Sequence, residues 1–365
     1  MRILFTGGGT LGSVMPLLTL AAACEKNGIS QKNELFWLGT QTGPERVLVE
    51  KNGIAFFSIY AGKLRRYFDL RNFFDPFLCI IGCVQSLILL IRIRPSLIVH
   101  AGSFVGVPVC WMGWLLGIRV AVLQMDIVPS LANILVRHCV WTFFVSCEKA
   151  AAFFPVKKVV LSGIPVREKI EQAPTQVKNA ADLNRTRDFF HIPVSMPLVV
   201  ILGGGTGSQD LNTLVWDSLE YLTPHAYIIH STGKDKAPPI EIKNTCYQWH
   251  EFFEDHIELL LTCADIVVTR AGMGVLSELS VLGKPALIIP LPNSHQERNA
   301  SFVEENRAGK YCSQKALVPK KFAKEILDLL ADDARKMTYS QNIKKLFPEN
   351  ATNTIIKVIK SLKTD

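Results

Sequence analysis

A glycine-rich turn is written twice in this 365-residue chain: GGGTLGS at 7–13 follows the apolar RILFT, and GGGTGSQ at 203–209 follows PLVVIL. A strand that ends in glycines and runs into a helix opens a doubly wound α/β domain. Its repetition therefore predicts two such domains in series. Length agrees, because a single core stops growing near ~250–300 residues. After each turn, short apolar runs alternate with helical patterns: ELFWLG, IAFFSI, SLIVHAG, RVAVLQ, WTFFVS and KVVLSG in the first half, then AYIIHS, DIVVTRAG, PALIIPL and KYCSQ in the second. Alternation of this kind predicts parallel sheets covered by helices on both faces. The stretch SGIPVREKIEQAPTQVKNA (162–180) reads as a linker, which sets the domains at 1–163 and 164–346. The tail is helical from Pro319, and its last helix, about 347–365, is expected to pack back on what came before.

The net charge of +8 is unevenly divided. Residues 1–165 hold sixteen Lys and Arg against eight Asp and Glu, and the remainder holds 24 of each sign. A one-sided basic field attracts phosphates, nucleic acid or anionic membrane. No nucleic-acid motif accompanies it, so nucleic acid is not an expected partner. The nine cysteines are scattered from Cys24 to Cys312, a pattern of reduced thiols rather than of a disulfide framework or zinc site. Met1-Arg2 runs straight into an apolar strand with no secretory signal between them. The most lipophilic segment, PFLCIIGCVQSLILLI at 76–91, contains Gln85 and falls short of the ~20 residues a membrane span needs. A buried or interfacial helix is expected there.

Free backbone N–H groups at a helix start, with glycines that let an anion approach, make both turns candidate phosphate sites. Gly7, Gly9 and Gly12 satisfy the dinucleotide pattern, but the second strand closes on Leu38-Gly39-Thr40-Gln41 without the acid that would hold an adenosine ribose. A nicotinamide enzyme is thereby disfavoured. No Lys-Ser or Lys-Thr follows either turn, so the nucleotide-triphosphate loop pattern fails as well.

Seven stretches in order resemble one family: GGGTLGSVMP at the first turn, AGSFVGVP (101–108), QMDIVPSLAN (124–133), SGIPVR (162–167), GGGTGSQDLN (203–212), RAGMGVLSEL (270–279) and HQERNA (295–300). They are similar to nucleotide-sugar glycosyltransferases of the GT-B type, and within these to the MurG-type transferases. The resemblance implies two Rossmann-like domains facing across a cleft. It also implies transfer of N-acetylglucosamine from UDP-N-acetylglucosamine to the muramyl C4 hydroxyl of lipid I, an undecaprenyl-pyrophosphoryl-muramyl-peptide. Inversion at the anomeric carbon is implied, with no cofactor; no metal-binding cluster such as DxD stands at a strand end, so metal independence is expected. A glycolipid glycosyltransferase, or a UDP-sugar epimerase or hydrolase on the same scaffold, is the alternative.

For the donor, Gly272, Met273, Gly274 and Val275 begin a helix whose amides can hold a diphosphate, and Glu278 one turn on can accept both ribose hydroxyls. The resemblance gives the matching glutamate that role; a solvated helix carboxylate is the other reading. His295, Gln296 and Asn299 are rich in donors and acceptors suited to sugar hydroxyls, the resemblance assigning Gln296 to the N-acetylglucosamine ring, whereas His295 can instead cap its helix. Phe252 and Phe253 suit a uracil slot or a core. Arg167 is placed near the nucleotide by the resemblance, or is an exposed linker charge. Thr10, Gly12, Gly204, Gly205 and Thr206 complete the expected donor contacts.

For the acceptor, the expected contacts are Gly8, Gly9, Ser103 and Asn133. The family's first turn usually reads GGTGGH; here the histidine position is Ser13, a hydroxyl with no adjacent base that serves at most as a hydrogen-bond donor. Where the family commonly has asparagine, this chain has Asp126, expected to be the general base, or else a cap for the following helix. LRRYFDLRNFFDPFL (64–78) interleaves Arg65, Arg66 and Arg71 with Phe68, Phe73, Phe74 and Phe77. With Trp114 these residues form an expected patch for anionic membrane, giving a peripheral enzyme on the cytoplasmic face; core aromatics with an arginine rim are the alternative.

Overall fold

The first half of the chain builds one sheet from seven parallel strands: β1 (Ile3–Thr6), β2 (Leu35–Gly39), β3 (Ala55–Ser58), β4 (Leu97–His100), β5 (Arg119–Gln124), β6 (Thr142–Val145) and β7 (Val159–Leu161). Their order is β3-β2-β1-β4-β5-β6-β7. Strands β1, β4 and β6 are buried along their whole length, as parallel strands covered on both faces must be. The structure is a computed structural model that describes residues 1–62, 71–177, 179–253 and 255–362, with the side chains of 71–74 outside that description.

The second sheet repeats the plan with β8 (Leu198–Leu202), β9 (Tyr227–Ser231), β10 (Tyr247–His250), β11 (Ile266–Thr269), β12 (Ala286–Ile288) and β13 (Lys310–Tyr311), in the order β10-β9-β8-β11-β12-β13. In each sheet the strand before the glycine turn is central, and the winding reverses beside it, between β1 and β4 and between β8 and β11. That reversal leaves a crevice at the carboxyl ends of the two central strands, where α/β proteins bind ligands.

Two compact units result: Met1–Val166 with Pro348–Asp365, and Arg167–Phe347. The last helix, Ala351–Ser361, belongs to the first unit; its Ile355, Ile356 and Ile359 are buried in one core with Leu17, Ala21 and Cys24 of the helix Val14–Lys26. The stretch read as a linker is largely helical, Glu168–Gln176 then Ala180–Phe189. Ile170 and Ala173, three apart on one face, are buried as the first of these packs on the helices Ile257–Cys263 and Met273–Leu282.

The lipophilic segment is also longer than its sequence suggested. It lies in a helix, Arg71–Ile93, whose portion Asp75–Ile93 is 19 residues with mean hydropathy 2.2, long and apolar enough to cross a membrane by length and composition, and 22% buried. This helix is the crossover between β3 and β4 of one sheet, and it packs on the helix Gly106–Leu115. Gln85, the polar residue in the apolar run, accepts the Tyr60 N–H at 2.8 Å, and a Cβ on Gly82 would meet Tyr60 O at 2.1 Å. Its outer face carries Phe77, Ile80, Ile81, Val84, Ile88 and Ile91, all exposed.

Candidate functional site

Leu202 and Thr269 are paired at the ends of β8 and β11, so the turns 203–208 and 270–272 leave the sheet side by side. Each runs into a helix: Gln209–Trp216, whose N-cap Ser208 accepts the Leu211 N–H, and Met273–Leu282, whose N-cap is Gly272 and whose first turn has no acidic residue. Among the described residues, a Cβ built on Gly204, Gly272 or Gly274 would meet nothing within 4 Å, so the ground over both turns is open. Gly205 and Thr206 are exposed there; Val275 is half-buried, whereas Met273 turns into the core at 3% exposure. The turn is set by a glycine pair. Gly207 has φ +69°, Gly233 has φ +97°, and a Cβ on Gly207 would lie 2.1 Å from Thr232 O, which lets the turn rest on the end of β9.

Beneath this open ground lies Arg270, 4% exposed. Its Nη1 donates to Ile289 O (3.0 Å), Pro290 O (3.4 Å) and Gln314 Oε1 (2.6 Å), and its Nη2 donates to Ser208 Oγ. Burial lowers its pKa and the charge of Asp210 opposes that shift, the latter group being linked through Gln314 Nε2 at 3.0 Å. A guanidinium keeps its proton throughout this range. Lys236 Nζ adds a second cation, donating to Thr206 O at 2.8 Å and Gly207 O at 3.1 Å. Sequence reasoning missed both. The one available sign for Arg270 was its place between the end of a strand and Gly272.

Glu278 stands one turn into the helix and is ion-paired with Arg167, Nε to Oε1 at 2.8 Å, the two side chains being 17% and 30% exposed. Neither is a solvated surface charge. Gln296 is half-buried, its Oε1 accepting the Leu291 N–H at 3.0 Å; His295 is exposed and makes no side-chain cap to its helix, Gln296–Glu305. Asn299, expected to face sugar hydroxyls, is fully buried instead, donating Nδ2 to Ala271 O at 3.0 Å and so anchoring the turn from below. Phe252 is 52% exposed and Phe253 half-buried, its ring 4.6 Å from that of His250; neither is a core aromatic.

The first unit treats the matching turn differently. Glu45 is fully buried and accepts Gly9 N–H (3.1 Å), Thr40 N–H (2.7 Å) and the Thr40 hydroxyl (2.5 Å). A Cβ on Gly8 would lie 2.1 Å from its Oε1. The Gly9 amide, expected to face a phosphate, is therefore spent on a carboxylate. Gly8 is buried, while Gly9, Thr10 and Gly12 stay exposed along the outer side of the turn. Ser13 precedes the helix Val14–Lys26 without capping it, 8% exposed and with no hydrogen-bond partner for its Oγ among the described residues.

Ser103 Oγ donates to Gly8 O at 2.8 Å, and Asn133, buried, donates to Gln124 Oε1 at 2.6 Å. These two expected acceptor contacts thus hold the loops of the carboxyl edge together. Asp126 follows β5 at the same edge, half-buried; the following helix, Leu131–Val136, is capped by Ser130, so Asp126 is not its cap. Trp114 is 59% exposed and Phe77 63%, on the helices Gly106–Leu115 and Arg71–Ile93, which pack together. Arg65, Arg66 and Phe68 lie outside the described residues, as do the side chains of Arg71, Phe73 and Phe74. All nine cysteines are free, and burial pushes the Cys24 thiol up to about 12 and that of Cys312 up to about 11, the opposite of an activated nucleophile.

Residues 3–142 match the glycosyltransferase family 28 N-terminal domain and residues 198–355 the family 28 C-terminal domain. A UDP-N-acetylglucosamine--N-acetylmuramyl-(pentapeptide) pyrophosphoryl-undecaprenol N-acetylglucosamine transferase 2 of Bacillus cereus is 31% identical, over 98% of this chain and 99% of its own. The correspondingly named transferase of Clostridium kluyveri is 32% identical, over 99% of each chain. The crystal structure of Acinetobacter baumannii MurG superposes with a TM-score of 0.72 at 22% identity, covering 99% of each chain, and shares the GT-B fold. With both family domains in order and full-length relatives above 30% identity, the chain belongs to glycosyltransferase family 28.

Proposed function

We propose that this chain transfers N-acetylglucosamine from UDP-N-acetylglucosamine to the muramyl C4 hydroxyl of lipid I, giving lipid II, the reaction class its relatives are named for. The observation that carries the donor half is the open glycine ground of 204, 272 and 274, set on two helix N-termini with Arg270 buried beneath. Amide dipoles and a fixed cation suit a diphosphate and the charge that grows on it as it leaves. In this reading Glu278 accepts ribose hydroxyls once it shares or releases Arg167. Phe253 supplies a face for uracil, and the Gln296 amide is directed to the sugar. Holding the diphosphate this way leaves no step that needs a metal.

In the acceptor unit Asp126 takes the proton of the attacking hydroxyl. The hydroxyl oxygen then bonds to the anomeric carbon as the bond to UDP breaks, so an α-linked donor gives a β-glycoside. Ser13 keeps a hydroxyl for hydrogen bonding only. The exposed apolar face of the helix Arg71–Ile93, with Trp114 and the basic excess of this unit, docks on anionic lipid at the cytoplasmic face and brings the chain to its acceptor. Incubation with UDP-N-acetylglucosamine and lipid I tests the whole reading: it predicts a lipid-linked disaccharide and UDP. An epimerised nucleotide sugar, free N-acetylglucosamine or binding without turnover would replace it.

A further inference from the structure

The hydrogen bonds around Ser208 leave one group uncommitted at the donor turn. Its Oγ accepts twice, from Leu211 N–H at 3.4 Å and from Arg270 Nη2. A hydroxyl has two lone pairs and one hydrogen. With both lone pairs taken, the hydrogen is directed away from the helix and from the guanidinium, and among the described residues it has no acceptor. Ser208 is half-buried rather than sealed, and it ends the turn whose Gly204 is open.

Arg270 makes this more than a helix cap. The guanidinium contacts three other acceptors, all uncharged, and reaches the Asp210 carboxylate through Gln314. A buried cation so placed draws electron density from the hydroxyl oxygen it donates to and makes its hydrogen a stronger donor. We propose that Ser208 is a binding residue for the donor, giving its hydrogen bond to a phosphate oxygen of the nucleoside diphosphate, and that Arg270 is the positioning residue that fixes the direction of that hydrogen. The assignment rests on the donor reading above and names a contact within it.

Titration with UDP, UMP and uridine tests it on the full chain. Ser208→Ala is expected to weaken UDP by about tenfold or more, the usual worth of a hydrogen bond to a charged group, and to leave uridine unchanged. Ser208→Thr, which keeps the hydroxyl, should restore UDP affinity. Ser208→Gly guards against loss of the cap, since glycine costs a helix start only a few tenths of a kcal/mol; it should match the alanine variant while melting close to the wild type. Arg270→Lys should lower UDP affinity by less than Ser208→Ala, again sparing uridine. Undiminished UDP affinity in both hydroxyl-free variants, or equal weakening of UDP and uridine, overturns the assignment. Wild-type protein that holds uridine as well as UDP removes the diphosphate from the site and overturns the donor reading along with it.

Discussion

Asp126→Asn deletes the proposed base and keeps the side chain's size, so it isolates the chemical step. Turnover with lipid I should fall by roughly two to four orders of magnitude while UDP still binds; steady-state kinetics beside UDP titration separates the two, and near-normal turnover would remove Asp126 from the mechanism. Glu45 makes the opposite kind of prediction. Its carboxylate satisfies the buried Thr40 N–H and hydroxyl and the Gly9 N–H, so Glu45→Ala should cost the first unit about 2–3 kcal/mol, read as a lower midpoint in denaturant. An unchanged midpoint would show that water replaces the carboxylate without loss. Both residues are acids near the carboxyl edge of one sheet, and only contacts tell the base from the clamp. The sequence showed Asp126 because it departs from a pattern; Glu45 sits in an ordinary first turn of a helix, and nothing in its neighbourhood announces that its side chain folds back under Gly8.

At the scale of elements, the strand–glycine–helix units were legible because period and punctuation agree: apolar runs, then glycine, then a helical pattern. The helix Met273–Leu282 begins at the glycines where its sequence suggested. Glu168–Gln176 was not legible as a helix, because it is polar, carries Pro174, and owes its two buried positions to packing against other helices rather than to propensity. Asn299 shows the same limit within the site: a polar residue at the start of a helix reads as a ligand contact until its amide is found on Ala271 O. The helix Arg71–Ile93 has an apolar stripe turned outward on a basic unit. Ile88→Glu should therefore reduce flotation with anionic vesicles and leave turnover on a soluble acceptor analogue unchanged. Flotation that ignores this substitution, salt and lipid charge would mean the stripe touches something other than membrane.

Across the whole molecule, one fold is used twice with opposite electrostatics: the first turn rests on a buried carboxylate, Glu45, and the second on a buried guanidinium, Arg270. Two buried histidines, one in each unit, give the protein a shared acid sensitivity. Burial lowers the pKa of His100 to about 4, with the Thr6 backbone and the Asn133 side chain pulling the other way, and lowers that of His230 to about 3. His230 is held neutral between the Tyr247 hydroxyl and Asn212 Oδ1, each at 3.1 Å. The unfolded chain protonates both near ~6.5. Between there and the folded values it binds more protons than the native state, so stability is full above that pH and falls as pH drops toward about 4, by up to about 1.4 kcal/mol per pH unit for each histidine. Chemical denaturation from pH 7.5 to 4.5 should show this slope, and His230→Gln should flatten it; a wild-type profile that is level through that range would mean both groups are protonated in the folded protein.

A crystal structure of the protein with UDP decides directly where the nucleotide lies. The diphosphate is predicted over Gly272–Gly274 within reach of the Ser208 hydroxyl, with the ribose on Glu278. Density for UDP on the first turn, above Glu45, or anywhere outside the second unit's glycine turns would contradict it.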